Sequence, residues 1–289
     1  MTIPRLAVPI AAIAGAVLAI STAGAATITV NESAVDVRIS SGIISPADKG
    51  ALVFFGGMRS PQGKARGHIM GYEDTPKGGW VPTSGTTIAF AFGSGARIVT
   101  QQPGNRVTRP GGADPLVGGT GPYLGATGTQ VTRPAGKGVY QHVITYTLPP
   151  KGAKRTTFTD TVRYGTPDIV ERGGPDGVGN NRNIGGPLTD ANGQPDGYYQ
   201  VNSVLEHVYS GGLYQWFVAD GTFTFADGST LHAVGPFQRA TGSAPGVLAP
   251  SPRAVNQGTG RFKGMRGQVV IRTNDDGTSS CIFTLVKAA

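Results

Sequence analysis

A ten-residue glycine pattern occurs twice in this chain and constrains its fold more than any other feature. Residues Gly119 to Gly128 read GTGPYLGATG, and residues Gly258 to Gly267 read GTGRFKGMRG. Both fit G-T-G-x-aromatic-x-G-x-x-G, and the offset between matching positions is constant along the pattern. Because regularly spaced glycines serve backbone geometry and a long-period match indicates a repeated unit, the sequence predicts two related structural units.

Short segments rich in Val, Ile, Thr and aromatic residues recur along the chain, with turn residues between them. Asp227-Gly228 and Asp276-Gly277 lie between apolar runs, as tight hairpin turns require. No segment beyond Ala25 has a sustained helical period, so we predict an all-β fold. Gly and Pro number 46 and 21, which also favours short strands joined by many turns.

The repeat extends on both sides of the glycine pattern. GTTIAFAFGS (85–94) parallels GTFTFADGS (221–229) upstream, and VYQHVITYTL (139–148) parallels SCIFTLV (280–286) downstream. The stretch 173–197 has almost no large apolar residue and predicts a linker or long loop. We therefore predict a first unit at 26–170, a linker at 171–197 and a second unit at 198–289. One barrel made jointly by both halves is the alternative, because the second unit is short.

The N-terminal segment, 1–25, predicts a secretory signal. Arg5 gives a positive start, the stretch 6–19 is apolar or small, and Ala23-Gly24-Ala25 is a small-x-small cleavage site, so the mature chain is predicted to begin at Ala26. An uncleaved anchor is the alternative. We expect a secreted, periplasmic or cell-envelope protein. No later segment reaches the roughly 20 apolar residues of a membrane helix, so no membrane span is expected.

The net charge of +8 is scattered along the chain. No long run of basic residues and no nucleic-acid module is visible, so no nucleic-acid partner is expected. Cys281 is the single cysteine, which excludes an intramolecular disulfide. It lies in a strand-like segment and is expected to be a buried apolar residue.

The glycine pattern does not match a nucleotide site. Its G-x-G-x-x-x-G spacing exceeds the dinucleotide fingerprint by one position, and a strand-like segment follows it instead of a helix. The four histidines have no metal-ligand spacing, so no metal site is predicted. Calcium binding by the linker is left open: its oxygen ligands would be Asp176, Asp190, Asn192 and Asp196, which lack the arrangement of an EF-hand loop.

GTGRFKGMRGQVVI resembles the GGTG-x-F-x-x-A-R-G stretch of plant dirigent proteins and allene oxide cyclase-like barrels. VGGTGPYLGATG in the first copy matches its opening better, whereas the second copy keeps the Arg266-Gly267 ending. The resemblance covers one stretch of each half, 85–148 and 221–286. The chain departs from the family by carrying the motif twice and by having Gln257 at the first glycine of the second copy.

The resemblance implies antiparallel eight-stranded barrels with an apolar lumen, here two in tandem. It implies no metal or organic cofactor, a small hydrophobic ligand and, since plant dirigents are trimers, a homo-oligomer as one expectation. Closed barrels also remove the sheet edges that a strand-rich chain must protect. Tyr123 and Phe262, the motif aromatics, are expected to fill the space beside the glycines.

The candidate acid–base residues lie in two strand-like segments. In the second half, Glu206 lies among Val204, Leu205 and Val208, where apolar neighbours would raise its pKa. Tyr214, Trp216 and Asp220 share one face of the next strand by period-2 alternation. In the first half, Tyr140, His142 and Tyr146 also share a face. The candidate catalytic residues are therefore Glu206, Asp220, Tyr214, His142 and Tyr140, and the candidate pocket residues are Tyr123, Tyr146, Trp216 and Phe262.

Two functions fit these features. One is a cofactor-free isomerase or cyclase that binds an apolar molecule in the lumen and stabilises developing charge with Tyr, Glu or Asp side chains. The other is a noncatalytic secreted binding or envelope-associated module. An open lumen with inward polar groups would favour the first function, and a closed apolar lumen would favour the second.

Overall fold

The computed structural model describes residues 25–39, 49–76, 85–103, 112–136, 139–171, 177–209, 213–241 and 250–287. The predicted signal peptide lies outside these ranges except for Ala25. Within these ranges the chain forms β-strands and two short 3₁₀ helices, and no helix there has the length and apolar character to cross a membrane.

Eight strands close the first barrel. Each strand pairs antiparallel with the next, and β1 pairs with β8 from Ala25 opposite Thr147 to Glu32 opposite Tyr140, so the sheet has no free edge. The strands are β1 (Ala25–Ile39), β2 (Lys49–Arg59), β3 (Ala65–Pro76), β4 (Gly85–Phe92), β5 (Arg97–Pro103), β6 (Ala113–Gly119), β7 (Thr127–Gly136) and β8 (Val139–Thr147).

The second sheet also closes on itself. β9 pairs with β17 along its length and with β11 through Leu188 opposite Val162 and Thr189 opposite Thr161, while β10 flanks β11. The strands are β9 (Arg155–Val162), β10 (Asp168–Val170), β11 (Asn181–Thr189), β12 (Pro195–Val208), β13 (Tyr214–Phe225), β14 (Thr230–Ala240), β15 (Ser251–Gly258), β16 (Met265–Thr273) and β17 (Ser279–Lys287). The all-β prediction of two tandem antiparallel barrels is confirmed.

The strands correct the predicted boundaries at 170 and 198. β9 belongs to the second sheet, and β11 and the start of β12 lie within the predicted linker. The sequence of β11 predicts a loop because it contains Gly185 and Gly186. A Cβ at Gly186 would lie 2.0 Å from the carbonyl oxygen of Arg163, and one at Gly185 would lie 2.7 Å from the Tyr198 hydroxyl. These glycines therefore permit close strand approach.

The glycine motif has the same place in both barrels. A 3₁₀ helix, Gly121–Tyr123 or Gly260–Phe262, follows β6 or β15 and leads into β7 or β16. The first glycine of each helix, Gly121 or Gly260, has a positive φ in the left-handed region that favours glycine. The motif thus serves backbone geometry and places one aromatic side chain at a barrel mouth.

The two barrels pack together through their outer faces. Strands β2 to β6 contact strands β12 to β16, and the Phe55 ring stacks on the His207 ring at a centroid distance of 4.2 Å. The Arg97 guanidinium lies 5.8 Å from the centre of the Trp216 ring. The buried apolar residues of this interface are Phe55, Met70, Ala89, Ala91, Val99, Trp216, Val218, Val234 and Ala254.

Candidate ligand-binding and acid–base site

A recess of about 500 Å³ lies at the glycine-motif end of the second barrel. The β9 residue Phe158, the motif residue Phe262 and the first residue of β16, Met265, give it an apolar floor. The Phe158 and Phe262 rings stack with their centroids 5.6 Å apart. This volume is within the range of small-molecule pockets, which are mostly apolar with a few polar groups.

Asp160 is the polar group set most deeply in this recess. Along β9 it alternates with Phe158 and Val162, so it shares their lumen-facing side. The Asp160 side chain is 2% exposed, and Oδ2 has no hydrogen-bond partner among the residues that the structure describes. Burial, reinforced by Asp196 and opposed by Arg261, raises its pKa from 3.8 to about 7. Asp160 can therefore accept or donate a proton near neutral pH.

A second carboxyl on the rim, Asp190, has the opposite environment. Its Oδ1 accepts hydrogen bonds from the backbone N–H groups of Gln194 and Asn192, at 2.8 and 2.9 Å. These bonds hold the pKa of Asp190 below its usual value, so it stays ionised. Two carboxyls whose environments separate their pKa values are the arrangement that acid–base sites use.

Arg261 is held in place at the same rim. Its guanidinium lies 3.1 Å from Asp227 Oδ2 and 3.7 Å from Asp196 Oδ2. It also lies 4.8 and 4.7 Å from the centres of the Phe225 and Phe262 rings, within cation–π distance. Arg261 therefore offers a fixed positive charge beside the apolar floor.

Aromatic rings fill the lumen behind the recess. Tyr199 stacks on Phe223 at 3.9 Å, and Phe283 contacts both Phe223 and Phe158, at 4.9 and 4.5 Å. Deeper in, Cys281 is fully buried, and burial raises the pKa of its thiol to about 12. A ligand would therefore bind at the mouth, and Cys281 is an unreactive core residue.

Glu206 does not lie in the recess. It occupies an irregular step of β12, between the pairs Leu205–Phe217 and His207–Trp216, which interrupts the alternation that its predicted role requires. Its carboxyl is 3% exposed, and neither oxygen has a hydrogen-bond partner among the described residues. Burial raises its pKa well above the usual value, as the apolar neighbours predict. The group is sealed rather than presented to a ligand.

Asp220 also lies outside the lumen. Strand β13 presents Phe217, Ala219 and Phe223 to the core, so Asp220 is on the outer face. Its Oδ1 lies 2.5 Å from Nε2 of His232, whose Nδ1 lies 2.6 Å from Asn256 Oδ1. Burial alone would lower the pKa of His232, but the bonds to Asp220 and Asn256 raise it above 6.5. Oxygen atoms beside both ring nitrogens therefore favour the protonated form of His232 in the barrel wall.

The other two candidates on this strand are also outside the recess. The Trp216 ring is buried between the barrels, and its Nε1–H donates a hydrogen bond to the Tyr209 hydroxyl at 3.1 Å. Tyr214 is 48% exposed at the start of β13. The structure thus places Phe262 in the recess and the other second-half candidates outside it.

The first-half candidates line the first barrel. His142 is buried, and its Nδ1 lies 3.0 Å from Gln130 Nε2 and 3.3 Å from Thr132 Oγ1. Tyr123 and Tyr146 meet edge to face at 5.4 Å beside the apolar core of this barrel. Tyr140 is half-buried on the same strand as His142. Tyr123 and Tyr146 contact each other, and all four candidates lie in a different barrel from Phe262.

The sequence analysis missed Asp160, although the period-2 pattern contains it. In RTTFTDTV, Phe158, Asp160 and Val162 share a face, so the pattern places a carboxyl between two apolar side chains. Arg261 is the variable position before the motif aromatic. Among the residues with described placement, no group of three or more His, Cys, Asp or Glu side chains is arranged to hold a metal.

No protein-family model matches the chain, and no curated protein matches it. A solved structure of a pyocyanin demethylase is similar to part of it, with a TM-score of 0.34 and 20% sequence identity. That similarity covers 44% of this chain and 100% of the other. A match of this strength supports no argument about function, so the functional argument rests on the geometry of the recess.

Proposed function

We propose that the protein binds a small apolar molecule at the glycine-motif mouth of the second barrel and that Asp160 transfers a proton to or from it. The observation that carries this proposal is a carboxyl that is 2% exposed, with an unpartnered oxygen among the described residues, in the wall of an apolar recess of about 500 Å³. The reaction class is a cofactor-free isomerisation or cyclisation.

The charges of the recess support this reading. Asp160 titrates near pH 7, Asp190 stays ionised, and Arg261 is fixed over two aromatic rings. Asp160 would act as the general acid or base, and Arg261 would stabilise negative charge that develops on a carbonyl oxygen. The same proposal includes that the chain is a dirigent-like or allene oxide cyclase-like protein and that it is exported.

Binding is tested with the neutral fluorescent probe Nile red and the chain from Ala26. Phe262→Ala removes part of the apolar floor and should weaken probe binding by roughly tenfold. Tyr123→Ala is the matched control, because Tyr123 occupies the same motif position in the first barrel. Equal loss in both variants, or probe binding that Phe262→Ala leaves unchanged, would contradict binding at this mouth.

Proton transfer is tested by deuterium exchange from heavy water into a panel of neutral aromatic ketones, followed by NMR. Wild-type protein should accelerate exchange beside the carbonyl, and Asp160→Asn should abolish the acceleration while retaining Nile red binding. Glu206→Gln should leave the acceleration unchanged, because Glu206 lies outside the recess.

The packed rings in the middle of the lumen favour a second function, a noncatalytic secreted binding or envelope-associated module. Tyr199, Phe223 and Phe283 are fully buried, and the Phe223 ring contacts the other two, so the recess in front of them is shallow. Probe binding without acceleration of exchange in any ketone would support this module and reject the enzyme.

A further inference from the structure

The opposite end of the second barrel contains a small recess lined by three arginines. Arg182 comes from β11, Arg239 from β14 and Arg253 from β15, and the recess has a volume of about 30 Å³. Tyr164 and Ser203 add hydroxyl groups to its lining. A single water needs roughly 10–15 Å³ by this measure, so the space suits a group of a few non-hydrogen atoms.

Aromatic rings hold two of the guanidinium groups. The Phe217 and Phe237 rings stack with centroids 4.9 Å apart and an interplanar angle of 7°. The Arg182 guanidinium lies 5.5 Å from the centre of the Phe217 ring, and that of Arg253 lies 4.9 Å from the centre of the Phe237 ring. Cation–π contacts with the two stacked rings therefore hold the two charges in place.

The charges of Arg182 and Arg253 are unbalanced within the described part of the chain. Arg253 is 2% exposed, and its Nη1 donates a hydrogen bond to the Tyr199 hydroxyl, whereas its Nε has no partner among the described residues. The Nε of Arg182 also has no described partner, and neither residue forms an ion pair with a described carboxylate. Burying an unpaired charge costs free energy that a bound anion would offset.

Burial changes the pKa of two groups in the recess. Burial, reinforced by Arg239, lowers the pKa of Arg182 from 12.5 to about 10. Burial raises the pKa of the Tyr164 hydroxyl well above its usual value, so this hydroxyl keeps its proton. The recess therefore contains N–H and O–H donors, together with the charges of Arg182 and Arg253, which no described carboxylate balances.

We propose that this recess binds an oxyanion group, either a carboxylate or a tetrahedral sulfate or phosphate, between Arg182, Arg239 and Arg253. Guanidinium groups match the oxygens of all three anions through paired N–H donors. The acidic mouth with Asp160 lies at the other end of the barrel, so the site is separate from the proposed proton-transfer site and does not depend on it.

Isothermal titration calorimetry of the chain from Ala26 with sodium acetate, sulfate and phosphate tests this site. All titrations use one fixed ionic strength in sodium chloride, which removes general screening effects. We expect saturable binding of at least one anion, and the preferred anion distinguishes a carboxylate from a tetrahedral group. Arg182→Gln and Arg239→Gln should each weaken that binding by roughly tenfold or more.

Arg272→Gln is the matched control, because Arg272 is exposed on β16 at the same end of the barrel and outside the recess. It should bind the anion as the wild type does. Saturation by none of the three anions, or unchanged affinity in Arg182→Gln and Arg239→Gln, would overturn the proposal. Nile red binding is measured on the same variants and should not change, which separates a failure here from a failure at the other mouth.

Discussion

The two barrels share one framework and differ in what fills it. Strand order, the glycine motif and the hairpin before it are common to both. Strand pairing shows which lumen positions of the two barrels correspond. Ile144 pairs with Ile28 in the first barrel as Phe283 pairs with Phe158 in the second. The matched lumen pairs are Val30 and Asp160, Asp114 and Arg253, Tyr123 and Phe262, Gln130 and Val269, His142 and Cys281, and Ile144 and Phe283.

This difference separates architecture from chemistry. The first barrel keeps His142 and Gln130 in hydrogen-bond contact in its wall, and the matched pair in the second barrel is the apolar Cys281 and Val269. The second barrel instead has a carboxyl at Asp160, where the first has Val30. The shared framework therefore accepts polar groups at different positions, and function depends on those groups rather than on the fold.

The largest predicted effect tests the shared framework. A Cβ at Gly267 would lie 2.1 Å from the carbonyl oxygen of Thr284, and one at the matched Gly128 would lie 2.0 Å from that of Thr145. Because these oxygens belong to neighbouring strands, Gly267→Val and Gly128→Val should each lower the free energy of unfolding by about 4 kcal/mol or more. Urea denaturation followed by circular dichroism measures this loss.

Gly264→Ala is the control for this pair. No atom lies within 4 Å of the added Cβ, and only the positive φ of Gly264 opposes the substitution. The cost should be about 1 kcal/mol. A loss in only one of the two valine variants would show that the motif copies are not structurally equivalent.

The fold was predictable because its signals are local. Period-2 alternation, Asp-Gly turns and the repeated glycines each specify backbone geometry over a few residues. The boundary between the barrels was not predictable in this way. Gly185 and Gly186 look like loop residues, and only the neighbouring Arg163 and Tyr198 show why β11 needs them.

The site was harder to predict because it depends on long-range packing. Phe262 was identified from its motif, whereas Asp160 becomes unusual only where β9 joins β17 and the 190–196 hairpin comes near it. Glu206 satisfied the same sequence criterion, an acidic residue among apolar neighbours. The irregular step in β12 removed it from the regular alternation, and no local signal marks that step.

Substitution of Asp160 should give the next largest effect on stability. It tests the difference between the two barrels at the position where the first barrel has Val30. The pKa of Asp160 is about 7 in the folded protein and 3.8 for an unperturbed side chain, as in the unfolded chain. Between these two pH values the folded state therefore binds more protons than the unfolded state. Stability should therefore fall as the pH rises from about 4 to 7 and then level off. Asp160→Val, which introduces the residue of the first barrel, should remove the Asp160 part of this fall, leave the part that Glu206 causes, and be more stable by about 2 kcal/mol at pH 8.

Urea denaturation of both proteins from pH 4 to 8 measures this difference. Asp160→Asn separates charge from shape, because it keeps the size of the side chain and cannot ionise. It should also show the smaller fall in stability. A fall as large in both variants as in the wild type would mean that Asp160 does not hold its proton in the folded protein and that other groups, such as the buried Glu206, cause the fall.

The smallest effect concerns the outer wall, where the hairpin register matches His232 to Val99 of the first barrel. The bonds from His232 to Asp220 and Asn256 raise its pKa above 6.5 despite burial. Their stabilisation is therefore fully present below pH 6.5 and is lost as the pH rises through the folded-state pKa. Asp220→Asn should lower the free energy of unfolding by about 1 kcal/mol at pH 6 and by less at pH 9.

Asp276→Asn is the control for Asp220→Asn, because the pair of Asp276 with Arg163 is exposed at 4.0 Å and should contribute little. An equal loss at pH 6 and pH 9 would mean that His232 is neutral, and the second barrel would then share the uncharged wall of the first at this position.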